Sequence, residues 1–181
     1  MEGEDFMSLI LDKNDKSYLN LDRERNEQNM NALDYNCGGY ALGTFIWILL
    51  DSFNHGEDLE FETNETDDEM MEDIELYVDD LEEECVKELV ENFEGLIRPI
   101  SILSELHEDE YAVLFRVSYD GEGYINDFHF VKRHHDGHYS HKPGSAPIAE
   151  FEGDPFDGAW ANSWLDYNAP IKILAVNDLL Y

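Results

Sequence analysis

Cys37 is the residue of this chain best placed to do covalent chemistry. It stands in the run NCGGYAL at residues 36–42, and Asp34 and Asn36 just before it are residue types that cap helix N-termini. Either cap would leave Cys37 in the first turn of a helix. Free backbone N–H groups and the helix dipole favour a thiolate there, so Cys37 is a candidate nucleophile.

A thiolate nucleophile needs an imidazole base, and histidines follow far downstream. The alternation in DFHFV at residues 127–131 places His129 on the strand face opposite Phe128 and Phe130. A polar ring between two phenylalanines is unusual in a hydrophobic strand. We therefore predict that His129 acts as the general base.

The third catalytic residue depends on the register of the hairpin that follows. If the turn at residues 135–137 pairs His134 with His138, His141 falls on the face of His129 and can orient it. A two-residue turn at 136–137 would put Ser140 and Lys142 there instead.

Further polar groups complete the candidate site. Asn126 and Asp127 are alternative orienting residues, the Cys37 backbone N–H is one oxyanion donor, and Asn36 or Tyr35 is a candidate for the second.

Competing structural explanations exist for the same residues. A cysteine in an apolar helix is commonly a small core residue, and Cys85, on an apolar helical stripe, is expected to be one. Gly38 and Gly39 each weaken a helix by about 1 kcal/mol relative to Ala, so they indicate either close approach of a substrate or tight packing. The turn histidines at 134, 135 and 138 are expected to be solvated, and neither a metal nor another cofactor is expected.

Net charge is the other dominant feature. The chain has 43 acidic and 11 basic residues, a formal charge of -32, and 19 of the acidic residues lie between positions 57 and 94 with one basic residue, Lys87. Apolar residues recur there at helical spacing, which predicts amphipathic helix with an acidic outer face. Such a surface repels nucleic acid and anionic membranes and attracts basic proteins.

The totals predict one cytoplasmic domain over residues 1–181, in the host cytoplasm if the protein is phage-encoded. Two isolated cysteines indicate reduced thiols, no secretory signal is apparent, and the apolar run at 41–50 is shorter than the roughly 20 residues that span a bilayer. We divide the domain into an N-terminal extension (1–29), an acidic helical insertion (57–94) and an antiparallel sheet portion (97–181).

Within that domain the pattern predicts a buried central helix over 32–50. It predicts strands at 100–106, 111–119, 124–132, 137–141 and 171–176, joined by short turns into an antiparallel sheet. The expected fold class is α+β, with the Cys-bearing helix packed on the sheet.

These motifs resemble the papain-like cysteine hydrolases of the NlpC/P60 and CHAP group and their uncharacterised bacterial and phage relatives. The resemblance rests on NCGGYAL at 36–42, DFHF at 127–130 and YSHKPG at 139–144. It implies a papain-like core and a thiol protease or amidase, with Cys37 as nucleophile, His129 as general base and His141 as the orienting residue. The acidic insertion and the missing export signal depart from a cell-wall enzyme.

Two hypotheses follow. The first is an intracellular thiol hydrolase that cleaves an amide bond of a peptide, isopeptide or glutamine type. The second is a non-enzymatic, DNA-mimic-like binding protein, such as a phage inhibitor of a host nucleic-acid-binding or defence factor. It would hold a basic partner through Asp67, Asp68, Glu72 and Glu83.

Overall fold

The computed structural model describes residues 35–44, 46–54, 67–161 and 165–178. The predicted extension at 1–29 and the first ten residues of the predicted insertion lie outside these ranges. The described helices are α1 (Cys37–Ala41), α2 (Asp51–Asn54) and α3 (Asp67–Asn92). The strands are β1 (Ile97–Ile100), β2 (Glu110–Tyr119), β3 (Ile125–Arg133), β4 (Tyr139–His141), β5 (Ala149–Glu150), β6 (Trp160–Ala161), β7 (Asp166–Tyr167) and β8 (Lys172–Asn177).

Six of these strands form one antiparallel sheet, in the order β1-β8-β2-β3-β4-β5, while β6 and β7 form a separate pair. Antiparallel neighbours accept short turns, which the Asp-Gly signals between the strands provide. The predicted α+β class, helices with an antiparallel sheet, is confirmed.

Helix α3 packs on this sheet through a stripe of buried residues at every third or fourth position. They are Ile74, Val78, Leu81, Cys85 and Leu89. This spacing keeps one face of a helix toward the core and leaves the acidic face in water. Gly95 lies in the left-handed region with φ +79, as expected of a residue just past a helix end. The prediction of an amphipathic helix with an acidic outer face is confirmed.

The sheet has two differently used faces. Val113, Phe115 and Val117 of β2 join the core beneath the helices, and Phe130 of β3 lies with them. Leu114 points to the other face, where a smaller cluster contains Trp160 and Tyr167 of the β6–β7 pair. Period-two alternation along β2 and β3 separates the two environments.

Two predicted elements are wrong in extent. Of the helix expected over 32–50, the described residues contain only the five of α1: the chain turns after it, with Gly43 at φ 73, and residues 46–50 are not helical. Ile46, Trp47 and Leu49 are consequently exposed although they are apolar. Periodicity alone does not separate a buried helix from a short helix with an apolar loop.

The strand expected at 100–106 ends where it was predicted to begin. After Ile100 the chain forms a 3₁₀ turn at Leu103–Glu105. The Glu105 carboxylate accepts from the backbone N–H groups of Ser101 and Ile102, both at 3.2 Å, which stabilises a turn over a strand.

Within the four described ranges, no helix is long and apolar enough to cross a bilayer.

Candidate functional site

Asn36 organises the start of α1. Its Oδ1 accepts from Gly39 N at 3.0 Å, which is the predicted N-cap, and also from Ile48 N at 3.1 Å. Its Nδ2 donates to the Ile48 carbonyl at 2.7 Å. The Asn36 side chain therefore ties α1 to the segment after it, and these bonds commit it to the fold.

The two glycines of α1 serve close packing, the structural one of the two explanations considered. A Cβ on Gly39 would lie 1.8 Å from the Ile46 carbonyl oxygen. A Cβ on Gly38 would lie 2.9 Å from Ile48 Cβ and 3.2 Å from the Phe130 ring. Only a residue without a Cβ lets α1 approach both neighbours.

Cys37 begins α1, as predicted, and reaches β3. Its Sγ donates to the Phe128 carbonyl oxygen at 3.9 Å, and the residue is 7% exposed. Because β4 ends at His141, which pairs with Val131, this carbonyl lies beyond the end of β4. The thiol therefore contacts the strand one residue before His129.

Some groups around the thiol raise the pKa of Cys37 and others lower it. Burial raises the pKa of Cys37 to about 12, and the Asp127 carboxylate adds to the rise. Backbone hydrogen bonding at Phe130 and Gly38 and the charge of Lys142 act in the lowering direction. In this arrangement the thiol is protonated at neutral pH, because desolvation outweighs the groups that favour the anion.

Of the two hairpin registers that the sequence left open, the structure has the one that pairs His134 with His138. His134 N donates to the His138 carbonyl at 2.8 Å, and Val131 pairs with His141. This pairing leaves three residues in the turn and excludes the alternative in which Ser140 and Lys142 share the face of His129. His129 Nε2 and His141 Nδ1 consequently lie 2.9 Å apart, in hydrogen-bond contact.

The histidine pair lies in an aromatic environment. The His129 ring is 5.1 Å from the Tyr167 ring and 6.3 Å from the Trp160 ring, and His141 is 5.2 Å from Phe151. Burial, and secondarily His141, lowers the pKa of His129 to about 3, and burial lowers the pKa of His141. Both rings are neutral at pH 7, so one donates an N–H and the other accepts.

Cys37 and His129 belong to different faces of the sheet. Cys37 packs in the core beneath the helices, whereas the His129 ring contacts Trp160 and Tyr167. Among the described residues no hydrogen bond joins the thiol to the imidazole. The structure thus brings His129 and His141 together and brings Cys37 to the backbone next to them.

The other predicted orienting groups have different partners. Asp127 Oδ2 accepts from the Tyr167 hydroxyl at 2.8 Å. Asn126 is exposed and donates to the Tyr124 carbonyl at 3.4 Å. Tyr35 is buried, with Lys142 Nζ 5.2 Å from the centre of its ring. Asp127 therefore stays nearest the pair, since it shares a contact residue, Tyr167, with His129.

An opening beside His141 gives this member of the pair access to solvent. It has a volume of about 490 Å³. Its walls include His141, Phe151 and Trp160 and the acidic residues Glu150 and Glu152. A substrate chain entering there would meet His141 first.

Sequence reasoning missed a polar cluster on the α1 face. His134 was predicted to be solvated, but it is 5% exposed and its Nε2 contacts Ser140 Oγ at 2.5 Å. Ser140 Oγ also contacts the Tyr40 hydroxyl at 2.6 Å. Lys142 is fully buried on this face. The available signal was alternation: Ser140 and Lys142 flank His141 and must point away from it.

The four predicted partner-binding residues, Asp67, Asp68, Glu72 and Glu83, are all exposed on α3. Of the seven lysines and arginines in the described ranges, Arg116, Lys132 and Lys142 are buried, and Lys172 pairs with Asp79 at 2.5 Å. Few cations are left on the described surface to offset the acidic face.

Metal binding finds no support in this part of the chain, since the described residues contain no group of three or more His, Cys, Asp or Glu suited to a metal ion. No protein-family model, curated protein or solved structure matches this sequence.

Proposed function

We propose that this protein is a thiol hydrolase that cleaves an amide bond of a peptide, isopeptide or glutamine type. The observation that carries the proposal is the 2.9 Å contact between His129 Nε2 and His141 Nδ1, beside the strand edge that Cys37 touches. A base held by a third polar group is the arrangement that activates a thiol.

The contact assigns the ring nitrogens. With Nε2 of His129 engaged by His141, Nδ1 is the nitrogen that takes the Cys37 proton. The thiolate then attacks the substrate carbonyl carbon, and the protonated imidazole returns its proton to the departing amine. Water, deprotonated by His129, cleaves the resulting thioester and releases the acid and the free thiol.

Before substrate binds, the thiol and the imidazole are both buried and no hydrogen bond joins them. With the pKa of Cys37 near 12 and that of His129 near 3, the proton stays on sulfur until the two groups meet and substrate changes their surroundings. Because the thiol and the imidazole lie on opposite faces of the sheet, the proposal requires β3 to rearrange around Phe128 and His129 when substrate binds, so that Sγ and Nδ1 come within hydrogen-bond reach.

The test is the pH dependence of iodoacetamide labelling, followed by peptide mass spectrometry in the folded protein. Cys85, buried in the same molecule, is the internal reference. In the folded protein at pH 7, Cys37 should label at least about tenfold faster than Cys85, as expected of a thiol that transiently meets its base. His129→Ala should remove that advantage.

Matched variants make the result specific. His107→Ala changes an exposed histidine, with 68% of its side chain accessible, and should leave labelling as in the wild type. Labelling of Cys37 only on unfolding would refute the hydrolase and leave Cys37 as a core residue.

The acidic surface supports a second candidate function, binding of a basic protein in place of its nucleic acid. The supporting observation is that α3 exposes its carboxylates while three cations of the described chain are buried. Regularly spaced carboxylates on a helix offer a basic partner a negative surface comparable to phosphates.

Titration with poly-lysine tests the charge requirement directly. Lys at Asp67, Asp68, Glu72 and Glu83 together should weaken binding about tenfold or more and reduce its dependence on salt. Lys at Asp120 and Glu122, exposed on the β2–β3 turn, is the control with altered charge elsewhere. Equal losses for both sets would argue against a specific face.

A further inference from the structure

Among the lysines of the described ranges, only Lys142 has no exposed area. It lies next to α1. It directly follows His141, the last residue of β4, and its side chain lies beside Tyr35 at the start of α1. Its Nζ donates to the Gly144 carbonyl at 2.6 Å and lies 5.2 Å from the centre of the Tyr35 ring. Tyr35 directly precedes the Asn36 cap and Cys37.

A buried ammonium is costly, since it gives up its hydration. The Gly144 carbonyl and the Tyr35 ring offset part of that cost through a hydrogen bond and a cation–π contact. They hold the cation at the point where α1 begins. Lys142 and Cys37 also interact electrostatically, each favouring the charged form of the other.

We infer that Lys142 is an electrostatic positioning residue for the Cys37 nucleophile: its buried ammonium stabilises the thiolate that forms when the thiol proton moves to His129. The inference rests on the proposed function. No bond to Lys142 forms or breaks, and its proton stays on Nζ throughout the step.

Other charged groups around the sulfur define what Lys142 must offset. Asp127 of β3 opposes the anion, while backbone hydrogen bonding at Phe130 and Gly38 favours it. His129 carries the transferred proton and becomes a second cation. Before that transfer Lys142 is the one cationic side chain among the described groups that acts on the sulfur.

The experiment measures the Cys37 labelling rate against pH in Lys142→Gln and Lys142→Arg. The Gln variant keeps an N–H donor for the Gly144 carbonyl and loses the charge, whereas Arg keeps the charge. We expect Gln to move the Cys37 profile to higher pH by about one pH unit, slowing labelling at pH 7 roughly tenfold. Arg should stay within about threefold of the wild type.

Lys87→Gln is the control, because Lys87 is exposed on α3 and its nearest ion-pair partner, Glu91, is 4.0 Å away. It should leave the profile unchanged. A merely structural role for Lys142 would lower the melting temperature without moving the pH profile, so the profile discriminates. Should Lys142→Gln not fold, Lys142→Met, which loses the charge and keeps the length of the side chain at this buried position, gives the same test.

The outcomes separate the two proposals. A wild-type Cys37 that labels only on unfolding overturns the hydrolase and this inference with it. A wild-type profile that is unchanged in Lys142→Gln, or in Lys142→Met where Lys142→Gln does not fold, overturns the inference alone.

Discussion

The surroundings of the two cysteines show how one degree of burial can serve different purposes. Cys37 and Cys85 are both buried, and burial raises the pKa of each thiol to about 12. Around Cys85 the charged neighbours are the carboxylates Glu88, Glu82 and Glu84, which raise the pKa further. Around Cys37 two backbone hydrogen bonds and Lys142 work in the lowering direction.

The difference lies in what happens when each thiol is partly uncovered. Desolvation is the largest cause at both sites, so any motion that admits water or substrate weakens it. At Cys37 two backbone hydrogen bonds and Lys142 favour the anion and Asp127 opposes it, whereas at Cys85 the three neighbouring carboxylates all oppose it. Backbone hydrogen bonding is therefore the main difference between the two buried thiols.

The largest effect is expected from removing the close approach that builds the Cys37 site. Gly39→Ala puts a methyl group 1.8 Å from the Ile46 carbonyl oxygen, a contact that the backbone must move to relieve. We expect a loss of about 4 kcal/mol or more in the free energy of unfolding, measured by urea denaturation.

Gly95→Ala is the control from the α3 region. Nothing lies within 4 Å of its added Cβ, and the positive φ costs about 1 kcal/mol. Equal losses in the two variants would show that α1 is not packed as described.

Lowering the pH should reduce the free energy of unfolding through the buried histidines. Burial lowers the pKa of His129 to about 3 and of His134 to about 2, and lowers that of His141, while the unfolded value is 6.5. The unfolded chain binds more protons between these values, so stability is lost as pH falls below 6.5. Each group contributes up to about 1.4 kcal/mol per pH unit.

Urea denaturation at pH 7, 6, 5 and 4 measures this loss. His129→Gln should reduce the slope, and His107→Gln, at an exposed position, should not. A wild-type stability that is constant from pH 7 to 5 would contradict the burial of these rings.

Raising the pH should reduce the free energy of unfolding through one buried carboxyl group of α3. Glu82 is buried, its Oε1 accepts from Val117 N at 3.0 Å, and burial raises its pKa from 4.5 to about 8. Its stabilising contribution is complete below pH 4.5 and is lost as pH rises to about 8, at up to roughly 1.4 kcal/mol per pH unit.

Glu82→Gln keeps an oxygen acceptor and removes the titration. Denaturation at pH 6, 7 and 8 should show a flatter profile in this variant than in the wild type. Glu84→Gln, at an exposed position two residues further on, should keep the wild-type profile.

Truncating the inert thiol should cost less. Cys85→Ala leaves a small void in the α3 core and should lower the free energy of unfolding by about 1–2 kcal/mol, measured in urea. Cys37 labelling should keep its rate, because no group that acts on Cys37 is removed. Slower labelling of Cys37 in this variant would show that the two cysteine sites are coupled.

The smallest effect is expected on the outer face of α3. Lys substitution at Asp67 or Glu72, both exposed, should change the free energy of unfolding by less than about 0.5 kcal/mol. The same changes should leave Cys37 labelling unaltered. A large thermal shift would indicate that the face is packed against other parts of the chain.

Several features followed from the sequence because their causes are local. The Asn36 cap, the buried stripe of α3 and the stop at Gly95 depend on residues within a few positions of one another. The hairpin that brings His141 to His129 depends on a three-residue turn. Periodicity and turn chemistry encode such features directly.

Other features depended on contacts between distant segments. The end of α1 near Gly43, the burial of His134 against Ser140 and the use of Glu82 to bind the Val117 N–H all involve packing that no local pattern carries. The same is true of the face that each catalytic candidate occupies.

By itself the sequence determined which residue types are available, the N-cap of α1 and the pattern of α3, and it reduced the hairpin to two registers, of which the structure has the one that joins the two histidines. Only the tertiary structure decided that Cys37 rests against the Phe128 carbonyl, that its thiol is desolvated, and that Lys142 is buried beside the start of α1. The physical reason is that pKa values and contact geometry depend on which distant groups exclude water from one another, whereas capping, turns and amphipathic spacing are short-range properties of the chain.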